Sequence, residues 1–231
     1  EATGVALDDV EGHFSDTTNT GDSGSASASR LTFMAGNSIM AAAEVAAKAW
    51  AEGERPAVGF ARYVPPETQQ LDEETGQGQP NFSYGYMAQA VELTVDIETG
   101  HIRVDKVTST HDVGRAISPE LLRGQVEGGV VQAHGYALSE NLQVVDGVIQ
   151  NPRFSSYLIP GIGDVPTEVN TDVLELADPV GPFGARGVAE MPFITYAPAV
   201  VAALHDATGV WFNEFPLTPS RVLAGLRTAQ T

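Results

Sequence analysis

Four glycines, Gly124, Gly128, Gly129 and Gly135, fall inside one stretch that otherwise reads as a helix. The stretch opens at Ser118-Pro119 and runs toward Leu138. A capping hydroxyl followed by Pro at the first helical position is a favourable helix start. Each glycine costs an exposed helix interior about 1 kcal/mol relative to alanine, so this helix must gain elsewhere what it loses in propensity. A missing Cβ is useful where another backbone, or a bulky ligand, has to come close. A chain carrying such a helix is expected to pack it tightly against something.

The elements around it define the fold class. Val91, Leu93, Val95 and Ile97 alternate with Glu92, Thr94 and Asp96, and after Glu98-Thr99-Gly100 a second strand follows through Ile102, Val104 and Val107. Period-two alternation around a turn predicts a hairpin with one wet face. Asp146-Gly147, between Val144-Val145 and Val148-Ile149, predicts a second, tight hairpin. An alanine-rich helix is expected from about Gly36 to Glu52, its small side chains allowing another element to approach closely. Two more helices are expected near the end, over about Pro198–Ala207 and Ser220–Arg227. The acidic segment 65–81, rich in Gly and Pro, reads as a surface loop. Strands grouped with helices, without regular βαβ repetition, point to an α+β fold. The 231 residues suffice for one large domain or two small lobes; the expectation is a single domain over 1–231 with the 65–81 loop inside it.

The charge balance limits partners. With 30 acidic against 12 basic residues the net charge is −18. Nucleic acid and anionic membrane surfaces need clustered Lys and Arg, so neither is expected as a partner. The chain has no cysteine, which excludes disulfides, cysteine-ligated zinc and iron–sulfur clusters within it. No stretch of about 18 apolar residues is present, so no membrane span is expected. The first residue is Glu rather than Met and no signal-peptide pattern follows it, which reads as a processed, truncated or split start. The expected location is cytoplasmic.

Three segments look unlike ordinary scaffold. One is Ser25–Arg30, a small hydroxyl-rich run feeding the alanine-rich helix; such a run offers backbone N–H groups to an anion. Another is Gly124–Gly129. The last is Gly181–Pro192, a glycine-rich loop with a single carboxylate, Glu190, set among Val188, Met191, Pro192 and Phe193. A glutamate in apolar surroundings suits a general base or acid. Taken singly, the first reads by composition as a flexible linker, the second as close packing to another backbone, and the third as a surface turn carrying a glutamate. His13, His101, His111, His134 and His205 show no metal-ligand spacing and read as surface or packing residues.

Taken together and in order, the segments resemble the xanthine dehydrogenase and aldehyde oxidase family of molybdopterin enzymes over nearly the whole chain. The resemblance rests on Asp112-Val113-Gly114-Arg115-Ala116-Ile117-Ser118-Pro119 with Gly124-Gln125-Val126-Glu127-Gly128-Gly129, on Phe154–Pro160 with Asp164-Val165-Pro166, on Ala185–Glu190, and on Pro216–Arg221. It implies the second, C-terminal half of a molybdenum-cofactor-binding domain, similar to the split nicotinate dehydrogenase type. It places Glu190 as the general base for hydroxylating an aldehyde or N-heteroaromatic carbon with water-derived oxygen, acting through a hydrogen bond and not as a metal ligand. It places Gln125 on the pterin, Gly128 and Gly129 where the helix approaches the cofactor, and Ser27, Ala28 and Ser29 along the metal and the cofactor phosphate. Ala28 stands beside molybdenum without ligating it; Arg30, Arg186 and Gly187 complete the cofactor-binding set. Arg186 replaces the family's Lys, keeping the charge and changing its geometry. Ala189 replaces Gly, at odds with the motif if that position needs a positive φ. Phe183 and Phe193 flank the loop, as core packing or facing an aromatic substrate.

The resemblance also implies a cofactor of molybdenum and molybdopterin, either as such or as the cytosine dinucleotide. Iron–sulfur clusters and FAD are expected on partner chains: a larger molybdopterin-binding subunit, an iron–sulfur subunit and a FAD subunit. The substrate would be a small molecule, and its identity is set largely outside this stretch. The alternative is a non-catalytic structural or assembly subunit that completes the cofactor cage.

Overall fold

The computed structural model describes residues 1–229. They divide into two compact units, each assembled from separated stretches of chain. The first comprises Glu1–Tyr84, Val113–Arg115 and Glu175–Gly187; the second comprises Gly85–Asp112, Ala116–Leu174 and the residues from Val188 on.

The first unit is organised around α1 (Leu31–Ala51). The helix starts at Leu31, earlier than the expected Gly36, because Gly36 is an interior contact point and not a breaker: a Cβ there would lie 2.6 Å from Cγ of Pro182. The alanines do permit close approach. Gly59 of a following extended segment lies where a Cβ would strike the Ala42 carbonyl, and the Ser38 hydroxyl donates to the Ala61 carbonyl at 2.8 Å. Phe33, 3% exposed, packs with Phe82 and Tyr63 at centroid distances of 5.3 and 6.3 Å. The 65–81 segment is exposed, as expected of a surface loop, and closes on itself through a bridge between Gln69 and Gln79 and the Asp72 N–H donating to the Gln77 carbonyl at 2.8 Å. Two short stretches meet through the Arg186 N–H to the Val113 carbonyl at 2.8 Å and the Arg115 N–H to the Gly184 carbonyl at 3.0 Å.

The second unit is a layer of helices on a three-stranded sheet. β1 (Tyr86–Val95) and β2 (Ile102–Asp112) form the expected antiparallel hairpin. Its turn is held by Asp96, whose carboxylate accepts from the backbone N–H groups of Glu98 and Thr99. α2 (Pro119–His134) follows, closing with a wider π turn over Gly135–Ser139. β3 (Val144–Val145) and β4 (Val148–Ile149) make the second hairpin, and Asp146 and Gly147 both take positive φ there. β5 (Glu168–Leu174), unforeseen in the sequence, pairs in parallel with β2 and gives the sheet order β1-β2-β5. A single β2–α2–β5 crossover is thus embedded in the α+β arrangement. Three more helices complete the unit: α3 (Met191–Ile194), α4 (Tyr196–Thr208) and α5 (Pro219–Thr228).

The core of the second unit joins the inner face of β2 to α2, α4 and α5. Val107, Val130, Val200, Leu204 and Val222 are fully buried there, each contributing about 1.5–3 kcal/mol of transfer free energy as an upper bound. Tyr196, also fully buried, shares a 2.7 Å hydrogen bond with Nδ1 of His134, and His111 is fully buried on β2. Both histidines are packing residues, and burial pushes the pKa of each down. No helix among the described residues is long and apolar enough to cross a membrane.

Candidate functional site

The expected site residues fall in both units. In the first, Ser27–Ser29 form one 3₁₀ turn directly before α1. Ala28 and Ser29 both have φ of 57°, and Arg30 follows at φ −82°, ψ −9°. Left-handed backbone costs non-glycine residues about 1–2 kcal/mol each, so two in succession must be held by their surroundings, and such strain collects at functional sites. A left-handed residue followed by a right-handed one turns successive N–H groups to the same side and makes an anion-binding concavity. Here that concavity opens at the start of a 21-residue helix with no side-chain cap, where the helix dipole adds to the attraction for negative charge.

Two side chains stabilise this turn. Arg30 donates from Nε to the Ser25 carbonyl at 2.9 Å, and the Ser25 hydroxyl accepts from the Ser27 N–H at 3.1 Å. Gly187 lies against the same turn, where any side chain would strike the Ser29 carbonyl oxygen. The structure therefore brings Ser29 and Gly187 together. Arg186 is largely buried, its Nε donating to Asp178 at 3.0 Å. Asp178, 6% exposed, also accepts from the Ser83 hydroxyl and from the N–H groups of Val180 and Gly181. This carboxylate gathers the 180–186 loop and so sets the path into Gly187. In that loop Phe183 and Gly184 carry the positive φ angles, and Ala189 does not, so alanine in place of glycine at 189 costs no backbone strain.

In the second unit, Gln125, Gly128, Gly129 and Gln132 follow one another at helical spacing along one face of α2. Gln125 is exposed and Gly128 faces open space, whereas Gly129 is buried. A Cβ on Gly129 would lie 2.9 Å from Cβ of Pro192 and 3.5 Å from the Ala189 carbonyl. The glycine thus lets the α2 backbone rest on both flanks of Glu190. That answers, for Gly129, the question raised by a glycine-laden helix: protein packs there.

Glu190 is the residue preceding α3, and its side chain makes no capping bond to that helix. It lines an open cavity of about 480 Å³ together with Gln132, Phe193 and Ile194. Phe193 is tilted against Tyr136 at 5.6 Å between centroids, which fixes one wall. A carboxylate, a carboxamide and an aromatic ring at one opening can orient a flat polar molecule and move a proton. Gln132 escaped sequence reading, although it continues the Gln125–Gly129 stripe by one turn. Gln89 escaped it too. Among the described residues no three His, Asp or Glu side chains converge on a common point.

Comparison with known proteins gives the family. The molybdopterin cofactor-binding domain family matches residues 43–166, more than half of the chain. The probable hypoxanthine oxidase XdhD of Escherichia coli is 36% identical over 148 residues, covering 64% of this chain and 16% of that protein. The xanthine dehydrogenase molybdenum-binding subunit of Escherichia coli O157:H7 is 36% identical over 144 residues, covering 59% and 19%. Among solved structures, the aldehyde oxidoreductase of Desulfovibrio gigas superposes with a TM-score of 0.82 at 31% identity, over 98% of this chain and 26% of that one. The chain therefore spans between 16% and 26% of the length of these relatives. It belongs to the molybdopterin cofactor-binding domain family, of the xanthine dehydrogenase and aldehyde oxidoreductase type.

Proposed function

We propose that this chain forms part of the active site of a molybdenum hydroxylase, with Glu190 as general base in the oxidative hydroxylation of an aldehyde or an N-heteroaromatic carbon. The observation that carries the reading is that Glu190 lines one open cavity together with Gln132 and Phe193. The residues also suit the cofactor. The two left-handed residues at Ala28 and Ser29, before an uncapped helix, form a cradle for a phosphate. The open space before Gly128, beside the exposed Gln125 carboxamide, leaves room for a flat ring with mixed donor and acceptor edges.

Ser27, Ala28, Ser29 and Arg30 would then hold the phosphate end, with Gly187 against them and Arg186 securing Gly187 through Asp178. Ala28 would stand beside the metal without ligating it. Gln125, Gly128 and Gly129 would serve the pterin, Gly129 by holding α2 against the Glu190 turn. When bound, the cofactor supplies the two-electron oxidation and activates the water-derived oxygen. Glu190 accepts, on a carboxylate oxygen, the proton released as that oxygen bonds to the substrate carbon. Phe193 presents an aromatic surface beside that carbon, and Gln132 offers both an N–H and a carbonyl to a ring nitrogen or a carbonyl oxygen.

Relatives named hypoxanthine oxidase and aldehyde oxidoreductase support these two substrate classes. A relative named as a molybdenum-binding subunit supports an assembly of several chains. In this reading the other chains are a larger molybdopterin-binding chain, an iron–sulfur chain and a FAD chain, and the cofactor is molybdopterin or its cytosine dinucleotide. The test is Glu190→Gln in the purified assembled enzyme. The expected result is a loss of turnover by at least about a hundredfold with molybdenum content unchanged. Turnover within twofold of wild type would instead favour a structural role that only completes the cofactor cage.

A further inference from the structure

We infer that Gln89 is the positioning residue of Glu190: one carboxamide on β1 grips both ends of α3 and so fixes the turn that carries the carboxylate. The inference rests on the reading of Glu190 as general base. The Gln89 Nε2 donates to the Pro192 carbonyl at 3.0 Å and to the Ser109 hydroxyl at 2.9 Å, and its Oε1 accepts from the Thr195 hydroxyl at 2.7 Å. Pro192 is the second residue of α3 and Thr195 the first residue after it. Both amide hydrogens and one acceptor position of the side chain are therefore engaged.

This grip is needed because α3 cannot hold itself. It has four residues, a single turn, and an isolated turn of helix is unstable without tertiary contacts. Pro192 has no N–H to donate, so its carbonyl is the backbone group by which that residue can be tied, beside the Met191 N–H that donates to the Val188 carbonyl at 3.0 Å. Gly129 fixes the apolar flank of the turn by contact with Pro192. Gln89 supplies the polar flank.

The anchor on the other side of Gln89 is rigid. Ser109 and His111 are both 0% exposed on β2, and the Ser109 hydroxyl lies 2.6 Å from Nε2 of His111. Gln89 and Ser109 are paired across the β1–β2 ladder. The chain of contacts from His111 through Ser109 and Gln89 to Pro192 and Thr195 thus ties the Glu190 turn to the middle of the sheet. A carboxylate displaced by about 1 Å from its reacting partner loses on the order of a hundredfold in rate, so a clamp of this kind acts on turnover more than on substrate affinity.

The experiment compares Gln89→Leu, which removes all three bonds at similar volume, with Thr195→Val, which removes one and disturbs folding less. Both are made in the assembled enzyme beside Glu190→Gln. Amide hydrogen exchange is followed in peptides covering 188–196, together with kcat, KM and molybdenum content. The expected result for Gln89→Leu is exchange faster by about tenfold or more, kcat lower by about ten- to a hundredfold, KM within about twofold and unchanged metal, with Thr195→Val intermediate. Wild-type exchange in both variants overturns the clamp. Faster exchange with unchanged kcat, where Glu190→Gln is inactive, overturns the positioning role while the general-base reading stands. Full turnover by Glu190→Gln overturns that reading and the catalytic half of this inference, and faster exchange then leaves Gln89 as a structural clamp.

Discussion

Gly187 meets Ser29 with no room for a side chain: a Cβ on Gly187 would run into the Ser29 carbonyl oxygen and lie 3.1 Å from the Ser29 Cβ. Gly187 does not take a positive φ, so the requirement is for space and not for backbone freedom. The contact matters because Ser29 is the second of two left-handed residues, and whatever presses on its carbonyl presses on the turn proposed as the anion cradle.

Gly187→Ala is therefore expected to destabilise the first unit by about 1–3 kcal/mol, the usual range for overpacking a close contact. It is also expected to lower molybdenum retention, because the backbone that must move is the cradle itself. Thermal unfolding and metal analysis of the purified assembly check both. A variant with wild-type melting and metal content would show that the Ser27–Ser29 turn shifts without consequence.

Adjacent glycines on α2 give opposite expectations. Gly129→Ala places a methyl 2.9 Å from Pro192 and is expected to cost about 1–3 kcal/mol, with the Glu190 turn displaced and turnover reduced. Gly128→Ala meets nothing within 4 Å and is expected to gain up to about 1 kcal/mol of helix propensity. If Gly128 is kept small for the pterin, the same variant loses cofactor while the protein becomes more stable. Melting temperature and pterin content of the two variants, measured side by side, separate packing from binding.

Much of this was readable from the chain because the signals were local. The β1–β2 alternation, the Asp146-Gly147 turn and the helix start at Pro119 each act within a few residues and each appears where expected, although the Ser118 hydroxyl read as a cap makes no capping bond. The signals that failed depended on partners far away in sequence. Gly36 looks like a helix boundary until Pro182 is seen against it. β5, Glu168–Leu174, carries too many polar residues for a strand pattern and is ordered by pairing with β2. The division into two units is likewise invisible in sequence, since each unit is stitched from distant segments. Within the site, Glu190 stood out as the single carboxylate of a glycine-rich loop. Gln132 was legible in principle, one turn beyond Gly129, whereas nothing about Gln89 on a half-buried strand marks it until the Pro192 carbonyl is seen beside it.

Asp178 gives a pH dependence whose sign follows from its surroundings. Burial pushes its pKa up, but the Ser83 hydroxyl, the Val180 N–H, Arg186 and the Gly181 N–H together outweigh burial and hold it below the ordinary carboxylate value. A folded-state pKa below the unfolded value means the unfolded chain binds the proton more tightly. The stabilisation is then fully present above the unfolded pKa of about 3.9 and is lost as pH falls through the lower folded value. Melting of the wild type is expected to hold steady down to about pH 5 and to drop below about pH 4, with part of that drop absent in Asp178→Asn. At neutral pH the same variant removes the charge opposite a largely buried arginine and is expected to cost roughly 3–5 kcal/mol. Because Asp178 also organises the loop leading to Gly187, Asp178→Asn should lose molybdenum at a pH where Glu190→Gln retains it. Equal melting of Asp178→Asn and wild type across this range would mean that the Asp178–Arg186 pair does not order the loop.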